Sequence, residues 1–250
     1  MQYKAIIFDL DGTAVPSFME GMPSKTLIST VLKAKGKIKF STASGRSANH
    51  CRDIWQVLKI EDPCIVSGES QIINPINEEI LWQQYLPKRV IPQIVKVASD
   101  YTEKFGVNGV FLNSKSDQDK FPETATIVVA LGVSKQKSQE LVDKLLKITD
   151  VAVHILVSWI DDDTWDIHIT HKLATKKHAI EKLIEILGVK KEEVIGIGDG
   201  NNDLPLFESV GYKVAMGNAV DVLKQSADYI TDTLENDGMA KFIEEKILVD

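Results

Sequence analysis

The stretch that decides the fold reads Ile6-Ile7-Phe8-Asp9-Leu10-Asp11-Gly12-Thr13. A short apolar run ends abruptly in two carboxylates spaced two residues apart, and a glycine and a hydroxyl follow them. In an open α/β sheet, chemistry gathers where the carboxyl end of a strand enters a loop. We interpret the run as a buried strand and its loop as a candidate site. A polar turn that only closes the strand is the alternative for these residues taken alone.

Composition narrows the function classes. The formal net charge is −7 over 250 residues, which argues against a general nucleic-acid binder because such proteins carry basic surface to meet phosphates. No apolar run reaches the length of a membrane span, and the N-terminus lacks a signal-peptide pattern. Cys51 and Cys64 have no CxxC spacing, which favours two small buried side chains in a reducing compartment. We expect a cytoplasmic monomer or small homo-oligomer without nucleic-acid or membrane partners.

Strand-loop-helix units follow the first strand. After a loop over 16–22, Ser24 is placed to cap a helix over 24–35. A second strand over 38–42 runs into the small, hydroxyl-bearing turn 43–46, and a helix comes next. A short third strand and its turn follow over 65–69. Successive units of this kind predict right-handed crossovers and a parallel sheet.

The pattern changes at about Leu81 and returns to the first type near residue 171. The intervening part predicts a compact α+β unit over 85–170, inserted into a core made of 1–84 and 171–250. Three consecutive aspartates, Asp161 to Asp163, separate its last two strands, and we interpret them as a turn rather than a calcium loop. The predicted elements of the insertion are a helix over 92–105, a strand over 126–133, a helix over 136–147, and extended runs over 151–160 and 165–170.

The final part of the chain repeats the opening arrangement. Lys176 begins a helix that Gly188 ends, and the apolar strand 194–198 runs into Asp199-Gly200-Asn201-Asn202-Asp203. This is a second acidic loop at the carboxyl end of a strand. The sequence therefore predicts an α/β protein whose core is a doubly wound, Rossmann-like parallel sheet with a smaller α+β domain inserted.

Four polar motifs occur in this order along the chain: DLDGT (9–13), SGR (44–46), ATKKHAI (174–180) and GDGNND (198–203). Together with the closing AMGNA (215–219) and NDGMA (236–240), they resemble the haloacid dehalogenase superfamily, in its Cof-type branch. In that branch an α/β cap is inserted between the second and third motifs. The chain departs from the usual pattern in Ala14-Val15, in Ser44 where threonine is commoner, and in Ser67-Gly68 where Asn-Gly is commoner.

The resemblance implies a role for each motif residue. Asp9 would be the nucleophile that forms an aspartyl phosphate, and Asp11 the acid and base. Asp9, the Asp11 carbonyl and Asp199 would hold Mg²⁺, with Asp203 as a ligand or an orienting group. The groups implied at the substrate are Ser44, Asn202 and Lys176 on the phosphoryl group, with Thr13, Gly45 and Arg46 beside it.

Charge independently favours a cation at this site. A phosphate dianion near a carboxylate is repelled by about 4 kcal/mol per charge pair at ~4 Å and an effective dielectric near 20. Three acidic side chains therefore make sense around a phosphate only with a metal, and oxygen ligands favour Mg²⁺. Two assignments stay open. Thr13, which in the family steadies the second aspartate, is also suited to capping a helix or a turn, and Arg46 is suited to pairing with either a phosphate or a carboxylate.

We therefore expect a Mg²⁺-dependent phosphatase that acts on a small phosphorylated substrate, a sugar phosphate or a phosphorylated short acid. A phosphomutase that uses the same phosphoaspartate is the first alternative. A non-catalytic protein that binds a phosphorylated metabolite is the second. The predicted insertion would select the substrate, and its contact residues lie outside the motifs.

Overall fold

The structure is a computed structural model that describes residues 3–16, 21–67, 70–158, 161 and 163–249. The chain divides into two compact units, 1–82 with 175–250, and 83–174. We call the first the core unit and the second the inserted unit. Parts of the loop predicted over 16–22, together with Gly68, Glu69 and Asp162, lie outside the described residues.

The strands alternate with helices through most of the chain. In chain order the strands are β1 (Ala5–Phe8), β2 (Lys39–Thr42), β3 (Cys64–Val66), β4 (Gln71–Ile73), β5 (Ile80–Gln83), β6 (Lys104–Val107), β7 (Val110–Asn113), β8 (Ile127–Ser134), β9 (Val151–Val157), β10 (Thr164–His171), β11 (Val194–Gly198), β12 (Tyr212–Ala215) and β13 (Tyr229–Ile230). The α-helices are α1 (Lys25–Ala34), α2 (Ala48–Leu58), α3 (Val90–Ala98), α4 (Lys135–Leu145), α5 (Lys176–Leu187), α6 (Leu204–Ser209), α7 (Asp221–Ser226) and α8 (Gly238–Lys246).

The core unit is built on a parallel sheet with the strand order β13-β12-β11-β1-β2. β1 lies between β2 and β11, with Ile6 opposite both Phe40 and Ile195. Every residue of β1 and β11 is buried, as expected for strands whose two faces are covered by helices. The α/β fold with a parallel core sheet is confirmed, and its centre is the strand that carries the opening acidic loop.

The third predicted strand joins the parallel sheet through a parallel bridge, as expected, but its longer pairing is with another strand. β3 lies in a sheet with the order β3-β4-β5, and it pairs antiparallel with β4. It meets the parallel sheet at a single bridge between Ile65 and Ala43, just beyond the end of β2. The chain reverses after β3 at Ser67, whose φ of 57° is left-handed, so the next segment returns alongside it instead of crossing over.

Helix α1 begins, and helix α5 ends, where the sequence predicts. Ser24 caps α1 by accepting a hydrogen bond from the backbone N–H of Leu27 at 3.0 Å. Gly188 ends α5 in a left-handed conformation. Cys51 and Cys64 are buried free thiols, as predicted, and burial raises the pKa of each to about 12.

The inserted unit is an antiparallel sheet with the order β7-β6-β8-β10-β9, and its apolar core includes residues of α3 and α4. The helix predicted over 92–105 is wrong at its end, because α3 stops at Ala98 and Phe105 is buried within β6. β6 and β7 form a hairpin around Asn108-Gly109, both with positive φ. Asn-Gly between apolar residues is a strong hairpin signal, and it outweighs the helical spacing that places Phe105 on one face with Tyr101.

The described aspartates of the acidic triplet, Asp161 and Asp163, form a turn in the connection between β9 and β10, as predicted. Thr164 donates its backbone N–H to the carbonyl of Asp161 at 3.1 Å. Asp163 donates to the side chain of Asp161 at 2.9 Å. None of the helices in the described part of the chain combines the length and the apolar character needed to cross a membrane.

The cap of α1 yields a stability prediction. Replacing Ser24 by alanine removes the hydrogen bond to Leu27 and a second one to Asp237, and we expect the free energy of unfolding to fall by about 1 kcal/mol. Urea unfolding followed by tryptophan fluorescence measures it. Ser47→Ala is the matched control, because Ser47 precedes α2 in the same extended conformation but bonds the His50 ring, not a backbone N–H. Equal losses in both variants would contradict a capping role.

Candidate active site

The candidate site residues gather at the carboxyl ends of three neighbouring strands. Asp9 follows β1, Ser44 lies two residues beyond β2, and Asp199 follows β11. Because these strands are parallel and adjacent, their ends open on the same edge of the sheet, which is where ligands bind in folds of this type. The first residue of α5, Lys176, reaches the same place.

The loop after β1 packs directly on Asp199. Gly12 has a φ of 80°, and a side chain there would place its Cβ 2.7 Å from Cγ of Asp199. Only glycine satisfies both the backbone conformation and the space. Thr13, which is fully buried, donates its hydroxyl to Oδ1 of Asp199 at 2.8 Å. The loop therefore positions Asp199 in two ways: Gly12 leaves room for its carboxylate, and the Thr13 hydroxyl bonds to it.

Lys176 joins the two acidic loops. Its Nζ donates to Oδ1 of Asp9 at 3.0 Å and to Oδ1 of Asp203 at 2.6 Å. All three side chains are buried, and Lys176 is only 5% exposed. Lys176 is therefore not a solvated surface lysine, although it is followed by a second lysine in the first turn of α5.

The second acidic loop is organised around Asp203. Its Oδ2 accepts the backbone N–H groups of Asp199 and Gly200 at 2.9 and 3.0 Å. A Cβ at Gly198 would lie 2.5 Å from Cγ of Asp203, so the glycine leaves room for that carboxylate. One carboxylate oxygen of Asp203 thus bonds to the loop backbone, and the other bonds to Lys176.

Carboxylates outnumber the cation at this point. Ligand atoms of Asp9, Asp199 and Asp203 lie within 4.8 Å of one another, and a single ammonium group contacts two of them. Burial raises the pKa of Asp9 to about 7, although Lys176 opposes this shift. Burial also raises the pKa of Asp199. A cluster of oxygen ligands with uncompensated negative charge fits a divalent cation such as Mg²⁺.

The second aspartate of the opening loop lies apart from this cluster. Arg46 donates from Nε to Oδ2 of Asp11 at 2.9 Å and from Nη2 to Oδ1 at 2.5 Å. The hydroxyl oxygen of Ser44, which is buried, accepts the backbone N–H of Arg46 at 3.2 Å. Of the two partners that the sequence left open for Arg46, the structure gives it a carboxylate, that of Asp11.

The remaining predicted site residues are more peripheral. Gly45 and Asn202 are both exposed, and, apart from its chain neighbours, no atom of the described residues lies within 4 Å of the position that a Cβ of Gly45 would take. Sequence reasoning missed Asn218, whose side-chain amide donates to the carbonyl of Gly12 at 2.8 Å. The side-chain oxygen of Asn218 accepts a hydrogen bond from the backbone N–H of Leu234 at 2.9 Å. Asn218 belongs to the AMGNA motif (215–219), but the motif does not show which of its residues contacts the opening loop.

Comparison with known proteins gives a consistent result. A family model that describes haloacid dehalogenase-like hydrolases matches residues 6–121 and 108–243. A solved structure, a haloacid dehalogenase-like hydrolase from Bacteroides thetaiotaomicron, superposes with a TM-score of 0.76 and 25% identity. The alignment covers 97% of this chain and 99% of that one.

Two curated relatives carry specific names. A Bacillus subtilis protein named 5-amino-6-(5-phospho-D-ribitylamino)uracil phosphatase is 27% identical over 251 residues, covering 98% of this chain and 96% of the relative. Phosphoglycolate phosphatase 1 of Saccharolobus solfataricus is 42% identical over 101 residues, covering 39% of this chain and 44% of the relative.

The packing of Gly12 on Asp199 predicts a specific loss of cation binding. We expect Gly12→Ala to displace Asp199 and to weaken Mg²⁺ binding, measured by calorimetry, by about 10–100-fold. Gly36→Ala is the matched control, since Gly36 has a similar φ of 84° but, in the part of the chain that the structure describes, no atom beyond its chain neighbours within 4 Å of its Cβ position. Both variants share a backbone strain of roughly 1–2 kcal/mol, so unchanged Mg²⁺ binding in Gly12→Ala would refute the packing argument.

The raised pKa of Asp9 predicts how stability depends on pH. The native state holds the Asp9 proton more tightly than the unfolded chain does, so wild-type stability falls as pH rises from about 4 to about 7. The side-chain amide of the Asp9→Asn variant does not titrate in this range. With chelator present, the free energy of unfolding of Asp9→Asn should exceed that of wild type by on the order of 2–4 kcal/mol at pH 8, and the two should be equal at pH 4. Denaturant titrations at both pH values test this, with the exposed Asp53→Asn as control; an equal difference at both pH values would contradict the assignment.

Proposed function

Since the chain belongs to the haloacid dehalogenase-like hydrolase family, we propose that it is a Mg²⁺-dependent phosphatase that forms an aspartyl phosphate on Asp9. The observation that carries this proposal is the buried contact of Lys176 with Asp9 and Asp203. It sets a candidate nucleophile beside a fixed positive charge at the edge of the sheet where ligands bind.

Asp9, Asp199 and Asp203 are the residues that would hold Mg²⁺, with the Asp11 carbonyl as a further candidate ligand. Their carboxylates converge within 4.8 Å, and the raised pKa values of Asp9 and Asp199 are the shifts that a divalent cation would relieve. When bound, Mg²⁺ would offset the negative charge of the phosphoryl oxygens.

The proposed first step forms a bond between a carboxylate oxygen of Asp9 and phosphorus. The bond from phosphorus to the leaving oxygen breaks, and Asp11 gives its proton to that oxygen. In the second step Asp11 takes a proton from water, the water oxygen bonds to phosphorus, and the bond to Asp9 breaks. Both aspartates return to their starting states, and the products are an alcohol and phosphate.

The other site residues stabilise charge in this scheme. Lys176 would contact both Asp9 and the transferred group, because its ammonium already lies at Oδ1 of Asp9. The hydroxyl of Ser44 and the amide of Asn202 would donate hydrogen bonds to phosphoryl oxygens. Thr13 acts one step removed, through its hydrogen bond to Asp199.

For the substrate we propose a small phosphorylated metabolite. Two relatives support this class through their names, one a phosphoglycolate phosphatase and the other a phosphatase of a phosphorylated ribityl compound. The testing experiment is a panel of small phosphate monoesters with Mg²⁺, in which free phosphate and isomerised product are measured together. Stoichiometric phosphate release supports a phosphatase, whereas isomerisation that depends on a bisphosphate would replace it with a mutase.

Removing the nucleophile should abolish turnover without unfolding the chain. Asp9→Asn keeps the size of the side chain and an oxygen for Lys176, but an amide cannot form the acyl phosphate. Phosphate release should fall to the background rate, while the circular dichroism spectrum stays that of wild type. Asp53→Asn again serves as control. Wild-type hydrolysis by folded Asp9→Asn would eliminate the aspartyl-phosphate mechanism.

Activity should also depend on the cation. We expect excess chelator to stop turnover, Mg²⁺ to restore it, and Ca²⁺ to inhibit it. Calcium takes more ligands at longer distances than magnesium, which spoils the alignment of nucleophile and phosphorus. Initial rates measured across a Mg²⁺ titration, with and without Ca²⁺, provide the test. Full activity in excess chelator would exclude the metal requirement.

A further inference from the structure

Arg46 and Asp11 form a two-point contact within the core unit. Two guanidinium nitrogens, Nε and Nη2, each donate to a different oxygen of the carboxylate. This fork geometry fixes the plane of a carboxylate as well as its distance. A contact of this kind holds one rotational state of Asp11 out of the several that a side chain on a loop can adopt.

Of the two partners, Arg46 is the better anchored. Its side chain is 7% exposed, whereas that of Asp11 is 39% exposed. Nη1 of Arg46 donates to the carbonyl of His50 at 3.3 Å, and its backbone N–H is held by Ser44. The guanidinium is therefore fixed at the start of α2, and the Asp11 carboxylate is oriented against it.

The helix that supports Arg46 is itself tied to the parallel sheet. Trp55 of α2 is fully buried and donates its indole N–H to the hydroxyl of Thr42, the last residue of β2, at 2.9 Å. The position of β2 thus fixes that of α2, α2 fixes Arg46, and Arg46 fixes Asp11. Groups held on helices and strands are set more precisely than groups held on loops alone.

We propose that Arg46 is a positioning residue that aims Asp11 at the leaving oxygen of the substrate. The proposal rests on the proposed function, in which Asp11 is the proton donor. While one oxygen of Asp11 carries the proton, Arg46 keeps its hydrogen bond to the other oxygen and so keeps the plane of the carboxyl group. When the proton passes to the leaving oxygen, the carboxylate that forms regains both contacts with the fork.

This role differs from direct binding of the phosphoryl group. Substrates with different leaving groups distinguish the two roles. p-Nitrophenolate departs as a stable anion without a proton, whereas an alkoxide needs one. The ratio kcat/KM reports events up to the first irreversible step, which is the loss of the leaving group. A residue that serves only proton donation affects kcat/KM for alkyl esters far more than for p-nitrophenyl phosphate.

The experiment compares p-nitrophenyl phosphate with the best alkyl substrate among glucose 6-phosphate, glycerol 3-phosphate and phosphoglycolate. For Arg46→Gln we expect a loss of kcat/KM on the alkyl ester of about 100-fold, since small misplacements of catalytic groups cost this much. That loss should be at least about 10 times larger than the loss on the aryl ester. Arg46→Lys, which keeps the charge but lacks the fork, should fall between Arg46→Gln and wild type.

Two further variants make the comparison specific. Asp11→Asn should show the same difference between esters, and Arg46→Gln added to Asp11→Asn should cause no further loss, because both changes remove one function. Arg52→Gln is the matched control: Arg52 lies on α2 and pairs with Glu78 through Nε and Nη2 at 2.7 and 2.6 Å, but it is exposed. It should keep wild-type values on both esters.

Equal losses on the two esters would overturn the proposal and assign Arg46 to the phosphoryl group. Additive losses in the double variant, or wild-type activity in both Arg46 variants, would overturn it as well. These results leave the phosphatase assignment intact, because wild type would still release phosphate. Failure of wild type to hydrolyse any of the esters would instead remove the proposed function. Should Arg46→Gln unfold, as judged by its thermal midpoint, Arg46→Lys carries the same comparison.

Discussion

The structure of the site depends on one buried ammonium group. Lys176 lies between Asp9 and Asp203, and all three are withdrawn from water. Removing the charge of Lys176 would leave two buried carboxylates without compensation, a change that typically costs about 3–5 kcal/mol. Lys176 is also the first residue of α5, where the helix dipole adds positive potential, and Thr175 caps that helix end. The negative loops are therefore tolerated because a lysine and a helix end are placed among them.

That placement constrains the neighbouring backbone. Asp203 accepts two backbone N–H groups, and Gly198 must lack a side chain to leave it room. Asp199 is set in turn by Gly12 and Thr13 from the other loop. The first loop thus supplies the space and the hydroxyl that position a carboxylate of the second loop. Even so, the pKa of Asp9 stays high, so the lysine offsets only part of the charge.

Much of this arrangement could be predicted from residue order. The apolar runs before Asp9 and Asp199 are buried strands, and the parallel core sheet follows from them. The turn after β3 was predicted, but the pairing of β3 with β4 was not, because it depends on a left-handed Ser67 and on a partner strand of only three residues. The end of α3 was missed because Phe105 fits a helical face by spacing and a strand by its hairpin. The partner of Arg46 could not be predicted from the sequence either, since a guanidinium suits Asp11 and a phosphate equally well.

The division of the core unit has a consequence for biosynthesis. β1 pairs with β2 on one side and with β11 on the other, and β11 is made only after the whole inserted unit. At about 5–20 residues per second, a ribosome needs on the order of ten seconds to translate the segment between them. During that time the nascent chain presents one open, apolar edge of β1, a hazard for aggregation. The inserted unit, which is continuous in sequence, has all of its strands by then, so it is free to fold while the core unit still lacks 175–250, about half of its residues.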